Sequence, residues 1–207
     1  MVITYTGGEC FKITQGDLTL AFNPPAKGSI FPSSKFGSDI VLVSLNHPDF
    51  NGVENTAFGD REPFVITGPG EYEIKGVAVR GFASNANYGN KETINTIYSV
   101  FLDGINLCFL GALGVAQLPQ GAKQELDGID VLFLPVGGEG VLNQSEAYAL
   151  AVQLEPKIII PMHYRHPQEL SAFLKEAGAD RLQPIEKLTL KKKDLEGKEG
   201  EIVVLSH

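Results

Sequence analysis

Residues 41–51 read VLVSLNHPDFN and join an apolar, β-branched strand directly to a histidine and an aspartate. A second stretch of this kind, IIIPMHY at residues 158–164, places His163 just after another apolar strand. Ligands bind at strand ends in α/β sheets, so His47, Asp49 and His163 are expected to converge. Imidazole and carboxylate groups are suitable ligands for zinc or iron. The alternative is that Asp49 caps a turn and that the histidines are hydrogen-bonded core residues.

Short strands dominate the first half of the chain, and strands alternate with helices in the second half. The pattern of apolar residues and turn signals predicts strands at Val2–Tyr5, 10–13, Leu18–Phe22, 40–44, Phe64–Ile66, 77–82, 96–102, 105–110, 129–134, 157–160, 188–190 and 201–205. Asp103 and Gly104 separate two of these strands and form a strong signal for a hairpin turn.

Two helices are predicted in the second half. The first covers residues 144–154, with Asn143 as its N-cap and Glu146 at the capping-box position. The second begins near Pro167, which is a favourable first helical residue, and ends at Gly178. Each helix has one apolar face, as expected for a helix that packs on a sheet.

The charged run at residues 191–194, KKKD, is interpreted as a solvated hairpin between the last two strands. No linker, repeat or low-complexity segment interrupts the pattern. Strand-rich and then alternating elements predict a single layered α/β domain over residues 1–207, with two packed sheets and helices outside.

Composition excludes several classes of partner. Lysine and arginine total 17 against 25 aspartates and glutamates, and the resulting charge of −8 argues against a nucleic-acid partner. No apolar run approaches the roughly 20 residues that cross a bilayer, and no signal-peptide pattern is present, so no membrane partner is expected. Cys10 and Cys108 lie in apolar runs without a Cys-x-x-Cys pattern, which predicts buried reduced thiols and a cytoplasmic location.

The remaining motifs are weak. His166 precedes Pro167 at a predicted helix start, which favours a capping or exposed role, and His207 is the last residue. The glycine-rich loop at residues 135–140 lacks lysine and Ser/Thr at P-loop spacing and is interpreted as a turn. Neither a Gly-x-Ser-x-Gly elbow nor a His-Glu-x-x-His pattern is present.

Several segments together resemble the metallo-β-lactamase superfamily, in particular the short bacterial and archaeal branch of metal-dependent hydrolases that includes ascorbate-6-phosphate lactonase-like proteins. The segments are YTGGECF at 5–11, the stretch 41–51 in place of a His-x-His-x-Asp-His motif, GPGEYEIKG at 68–76, FLGALG at 109–114, LPVGG at 134–138 and IPMHY at 160–164. The resemblance implies an αββα sandwich with its site at one edge of the two sheets.

The same resemblance implies seven metal-ligand positions for two ions, and four of them are apolar in this chain. Histidines are replaced by Leu45, Phe50 and Ala83, and the bridging aspartate is replaced by Ala112. The positions that remain are His47 for one metal and Asp49 with His163 for the other. Hydrolytic zinc usually has about three protein ligands plus water, so neither site is complete and a two-metal centre is not expected.

Three interpretations follow, and whether the chain is an enzyme stays open among them. The leading one is a pseudoenzyme with no cofactor and a role in binding a small molecule or protein partner, or as a scaffold, in which a homo-oligomer is compatible. The second is a hydrolase of a lactone or phosphoester with one zinc, manganese or iron ion on His47, Asp49 and His163, completed by Glu9 or water. The third is metal-free acid–base catalysis by the same three residues.

Overall fold

Two mixed β-sheets pack face to face in the computed structural model, which describes residues 1–59 and 62–207. The first sheet has the spatial order β12 (Leu188–Thr189), β1 (Val2–Tyr5), β2 (Phe11–Gln15), β3 (Leu18–Phe22), β4 (Ile40–Leu42) and β5 (Phe64–Ile66). The second has the order β13 (Glu201–Ile202), β11 (Ile158–Met162), β10 (Val131–Pro135), β9 (Ile105–Phe109), β8 (Lys91–Leu102), β7 (Val77–Tyr88) and β6 (Gly70–Ile74). The predicted sandwich of two sheets is confirmed.

Four phenylalanine rings join the inner faces of the two sheets. Phe22 of the first sheet stacks on Phe109 of the second at 4.3 Å between ring centroids. Phe11 meets Phe133 edge to face at 4.7 Å. All four rings are fully buried, and burial of each stabilises the fold by roughly 1.5–3 kcal/mol. Offset and edge-to-face contacts of this kind fix how the sheets sit on each other.

The helices α1 (Gln120–Glu125), α2 (Gln144–Leu154) and α3 (Pro167–Glu176) pack on the outer face of the second sheet. The predicted capping box of α2 is confirmed, because the Glu146 N–H donates to Asn143 Oδ1 at 3.0 Å and the Asn143 N–H donates to Glu146 Oε2 at 3.1 Å. The outer face of the first sheet is covered by loop residues and by a 3-10 turn at Val53–Asn55.

Both hairpins that strand β8 forms, with β9 and with β7, have turns in which both central residues take positive φ, as a type I′ turn requires. Asp103 and Gly104 have φ values of 53° and 74°, which confirms the predicted turn. The second hairpin joins β7 to β8, and its turn residues Gly89 and Asn90 have φ values of 62° and 59°. Each of its strands has 12 residues, so the hairpin extends well past the predicted segments 77–82 and 96–102.

Other boundaries differ by a few residues, as expected where helix and strand ends fray. The predicted strand at 40–44 ends at Leu42, and the second helix ends at Glu176 rather than at Gly178. Strand β6 and helix α1 were not predicted.

The interpretation of residues 191–194 as a solvated hairpin is wrong, because β12 belongs to the first sheet and β13 to the second. The run instead enters a 3-10 turn at Lys192–Leu195, and Lys192 Nζ lies 2.7 Å from Oδ2 of the buried Asp130. Lys157 Nζ donates to Asp130 Oδ1 at 2.7 Å. A buried carboxylate requires such partners, and this requirement determines where the charged run packs.

Cys10 and Cys108 are free and buried, and burial raises the pKa of each thiol to about 12. Both thiols are therefore protonated at neutral pH, which confirms the prediction of buried reduced cysteines. In the described residues, no helix is both long and apolar enough to cross a membrane.

Replacing Asp130 by asparagine is expected to lower the free energy of unfolding by roughly 2 kcal/mol at pH 7, because two lysines lose their carboxylate partner. Burial alone would raise the pKa of the Asp130 carboxyl, but hydrogen bonds from Lys157 and Lys192 outweigh it and lower this pKa. The carboxylate therefore stabilises the fold above the unfolded pKa of about 3.9 and loses this effect as the pH falls through the folded pKa. Urea denaturation checks both points.

The matched control is Asp127→Asn, which changes an exposed aspartate three positions earlier in the chain. Its expected effect is within about 0.5 kcal/mol. Equal destabilisation by the two variants, or a gap between them that persists below the folded pKa of Asp130, would contradict the role assigned to Asp130.

Candidate functional site

The three residues singled out from the sequence line one cleft of about 370 Å³ at the edge of the sandwich. His47 and Asp49 follow the end of β4 in the first sheet, and His163 follows the end of β11 in the second. Tyr88 and Arg165 complete its wall. The strand-end argument therefore placed His47, Asp49 and His163 in the right part of the fold.

Asp49 is almost fully buried, and its carboxylate is satisfied by groups of this chain. The Ser29 hydroxyl donates to Oδ1 at 2.6 Å, and the Ile30 N–H donates to the same oxygen at 3.0 Å. The Tyr88 hydroxyl donates to Oδ2 at 2.9 Å. Burial and this hydrogen bond to Asp49 raise the pKa of Tyr88 well above its ordinary value, so the hydroxyl keeps its proton for Asp49.

His163 is held by the buried Glu9, whose Oε1 lies 2.8 Å from His163 Nδ1. Asn23 Nδ2 donates to the other carboxylate oxygen of Glu9 at 2.7 Å. The His163 backbone takes a left-handed φ of 58°, and its N–H donates to the Gly8 carbonyl at 2.7 Å. A Cβ at position 137 would lie 1.9 Å from the His163 carbonyl oxygen, so only glycine fits there. The glycine-rich loop is thus a turn that packs against His163.

His47 lies at the mouth of the cleft with about a third of its side chain exposed. Its Nδ1 accepts a hydrogen bond from the Asp49 N–H at 3.2 Å and lies 3.3 Å from Asp49 Oδ2. One nitrogen cannot do both at once: Nδ1 accepts from the Asp49 N–H when it carries no hydrogen, and it donates to the carboxylate when it carries one. The His47 ring also meets the Tyr88 ring edge to face at 5.0 Å.

An apolar cluster fills the space beside these polar groups. It consists of the buried residues Leu45, Phe50, Ala86, Tyr88, Ala112 and Val141. The Phe50 ring lies 5.8 Å from the His163 ring, between centroids. Residues 45, 50 and 112, three of the four apolar positions at which the resemblance implies a metal ligand, therefore lie together at the site.

Ala83 is the exception, and its predicted place at the site is wrong. It is exposed, whereas Ser84, Ala86 and Tyr88 on the same strand are buried in alternation. Ala86 is the alanine of β7 that enters the apolar cluster. The alternation of side chains along a strand could have identified it, had β7 been predicted through to Tyr88.

Ser29 and Tyr88, the hydroxyl donors to Asp49, were also missed from the sequence. They lie 20 and 39 positions from Asp49, and neither belongs to a local motif. His166, by contrast, lies at the start of α3 as predicted, and its N–H donates to Glu169 Oε2 at 3.2 Å.

The residues present do not fit a metal centre. Within residues 1–59 and 62–207, no group of three or more His, Cys, Asp or Glu side chains could hold one ion. Asp49 and His163 already have protein partners, and hydrocarbon from Phe50 lies between the rings of the cleft. Such an apolar environment penalises an ion that has lost its water.

Comparison with known proteins gives consistent matches. Residues 2–163 match a family model described as a β-lactamase superfamily domain. A metal-dependent hydrolase of Natranaerobius thermophilus is 27% identical over 188 residues, which cover 79% of this chain and 83% of the relative. A metal-dependent hydrolase of Pyrococcus furiosus is 26% identical over 225 residues, which cover 91% and 99% of the two chains.

Solved structures agree with these sequence matches. A Thermotoga maritima protein assigned to the Zn-dependent hydrolases of the metallo-β-lactamase superfamily aligns with a TM-score of 0.77 and 29% identity, covering 99% of this chain and 97% of that chain. Igni18, a metallo hydrolase from Ignicoccus hospitalis, aligns with a TM-score of 0.61 and 19% identity over 92% and 99% of the two chains. The second likeness supports the fold alone.

A matched pair of histidine substitutions tests which alanine of β7 faces the site. Ala86→His forces an imidazole into the apolar cluster and is expected to destabilise the protein by roughly 1–3 kcal/mol. Ala83→His adds an exposed ring and is expected to change stability by less than about 0.5 kcal/mol. Thermal and urea denaturation measure both effects, and the reverse ranking would return Ala83 to the site.

Proposed function

Because this chain belongs to the metallo-β-lactamase superfamily of metal-dependent hydrolases, we propose that it is a member that has lost its metal centre and binds a small ligand in the cleft between His47 and His163. The observation that carries the proposal is the state of Asp49. Its buried carboxylate accepts three hydrogen bonds, from the hydroxyls of Ser29 and Tyr88 and from the Ile30 N–H.

The hydrogen bonds of the cleft support this proposal. A carboxylate that binds a metal needs a lone pair directed at the ion, and three of the roughly four lone-pair sites of Asp49 accept hydrogen bonds from protein donors instead. The Glu9–His163 pair similarly satisfies a buried carboxylate without a cation from outside. Leu45, Phe50 and Ala112 replace charge with hydrocarbon at the same place, and this removes the repulsion that buried carboxylates would have without metal.

The cleft favours a ligand-binding role over a purely structural one. Because the cleft is open to solvent, a small molecule can enter it without repacking the core. Here the apolar cluster fills one part of the site, while about 370 Å³ stays accessible beside His47, Tyr88 and His163. This volume lies within the range of small-molecule pockets.

The alternative function is hydrolysis of a lactone or phosphoester with a single zinc, manganese or iron ion. One observation favours it, namely that His47, Asp49 and His163 line the same cleft. Two imidazoles and one carboxylate are a suitable set for mononuclear iron. Binding would require Asp49 to give up the Tyr88 hydroxyl, and His163 to use the ring nitrogen that does not face Glu9.

The metal content of the purified, tag-free protein separates the two functions. After purification with added zinc, manganese or iron, elemental analysis is expected to find well below one ion per chain. His163→Ala is expected to give the same background value, because no ion depends on this side chain. Circular dichroism checks that both proteins are folded.

A stoichiometric ion that is present in the parent protein and absent from His163→Ala would refute the metal-free proposal. Chelator-sensitive hydrolysis of a lactone or phosphodiester would then support the alternative. Asn46→Ala, an exposed change beside His47, is the matched control for purification effects, since it leaves all three candidate ligands in place.

A further inference from the structure

A second and larger cavity of about 630 Å³ adjoins the cleft. Asn87, Asn90 and Gly140 line both spaces, so a single ligand can reach from one into the other. Gly140 is required at this junction, because a Cβ there would lie 3.1 Å from the Asn87 carbonyl oxygen and 3.0 Å from the Tyr88 ring. The β7–β8 hairpin forms one wall, with Asn85 and Thr93 beside Asn87.

The asparagines of this wall are unusual for their position. Asn85 and Asn87 lie inside strand β7, where asparagine is disfavoured relative to β-branched and aromatic residues. Both are exposed, and their side chains make no hydrogen bond with any other described residue. Neither residue caps a helix or forms a turn, so local structure does not explain them.

Other asparagines in the fold behave differently. Asn23 and Asn95 are fully buried, and each uses both ends of its amide. Asn23 donates to Glu9 and Ser44 and accepts from the Ser44 N–H. Asn95 donates to Ser84 and the Leu110 carbonyl and accepts from the Ala112 N–H. Structural asparagines of this protein are thus paired, and those of the hairpin wall are left for another partner.

The residues that line the larger cavity indicate which class of ligand it can bind. Among the described residues that line it there is no Lys, Arg or His, and Glu92 and Glu146 are acidic, so an anion is disfavoured. Glu146 is already engaged in the capping box of α2. Only a few lining side chains, such as Val115 and Val141, are apolar, so a lipophilic ligand would leave the amides unpaired.

We propose that Asn85, Asn87 and Asn90 bind a neutral, polyhydroxylated ligand of the size of a di- or trisaccharide. An amide offers one acceptor and two donors without charge, which matches hydroxyl groups that both donate and accept. The inference rests on the proposed function, since it names the ligand class of that cleft. It assigns a binding role to the asparagines of the hairpin wall, whose presence fold stability does not explain.

The test uses the double variant Asn85→Thr, Asn87→Thr and the neutral probes maltotriose, cellotriose, lactose and N-acetylchitotriose. Saturation-transfer NMR and calorimetry of the parent protein are expected to detect at least one probe with a dissociation constant at or below about 1 mM. The double variant is expected to bind that probe at least about tenfold more weakly, because each amide, with its two N–H donors and carbonyl acceptor, is replaced by a shorter side chain with a single hydroxyl. Its melting temperature is expected to be equal or higher, because threonine is favoured in strands.

Glu73→Thr on the exposed face of β6 is the control, and it should leave binding unchanged. A lower melting temperature of the double variant would show that the asparagines have a structural role and would overturn the inference. Failure of all four probes, or binding that the double variant retains, would also overturn it. Saturable acetate binding at His47 or Arg165 would then leave the proposed cleft intact with another ligand class. Stoichiometric zinc would instead refute the proposed function itself.

Discussion

The hydrogen bond between Glu9 and His163 is the interaction on which the site depends. It joins residues 154 positions apart, one from the turn before β2 and the other from the end of β11. Both side chains are buried, so neither can lose its partner without leaving a polar group unpaired in the interior. The left-handed backbone of His163, the packing of Gly137 against it and the position of Asn23 all serve this contact.

Near that hydrogen bond, buried carboxylates accept hydrogen bonds from donors of the same chain. Asp49 is balanced by Ser29, Ile30 and Tyr88. The neighbouring volume is filled by Leu45, Phe50 and Ala112 with Ala86 and Val141, which carry no charge. In the relatives described as metal-dependent hydrolases, a metal ion is expected to balance such carboxylates. Protein donors and a metal ion would compete for the same carboxylate oxygens.

Much of the fold could be predicted because its signals are local. The hairpin at Asp103 and Gly104 follows from residues that tolerate positive φ, and the capping box of α2 follows from Asn143 and Glu146. The hairpin expected at residues 191–194 failed because Lys192 pairs with the buried carboxylate of Asp130, which lies far away in the sequence. Ala83 was misplaced for a related reason: which face of β7 is buried depends on what packs against it.

The sequence by itself determined most of the strands, the two longer helices, their layering and the strand ends at which His47, Asp49 and His163 meet. These features depend on side-chain periodicity, turn chemistry and strand direction, and residues close together in the sequence determine all three. Only the tertiary structure decided that Tyr88 and Ser29 donate to Asp49 and that Ala86 faces the site. It also decided that the side chains of Asn85 and Asn87 make no hydrogen bond within the part of the chain that the structure describes. Hydrogen-bond partners and buried faces are set by contacts between distant segments, and such contacts exist only once the two sheets have packed.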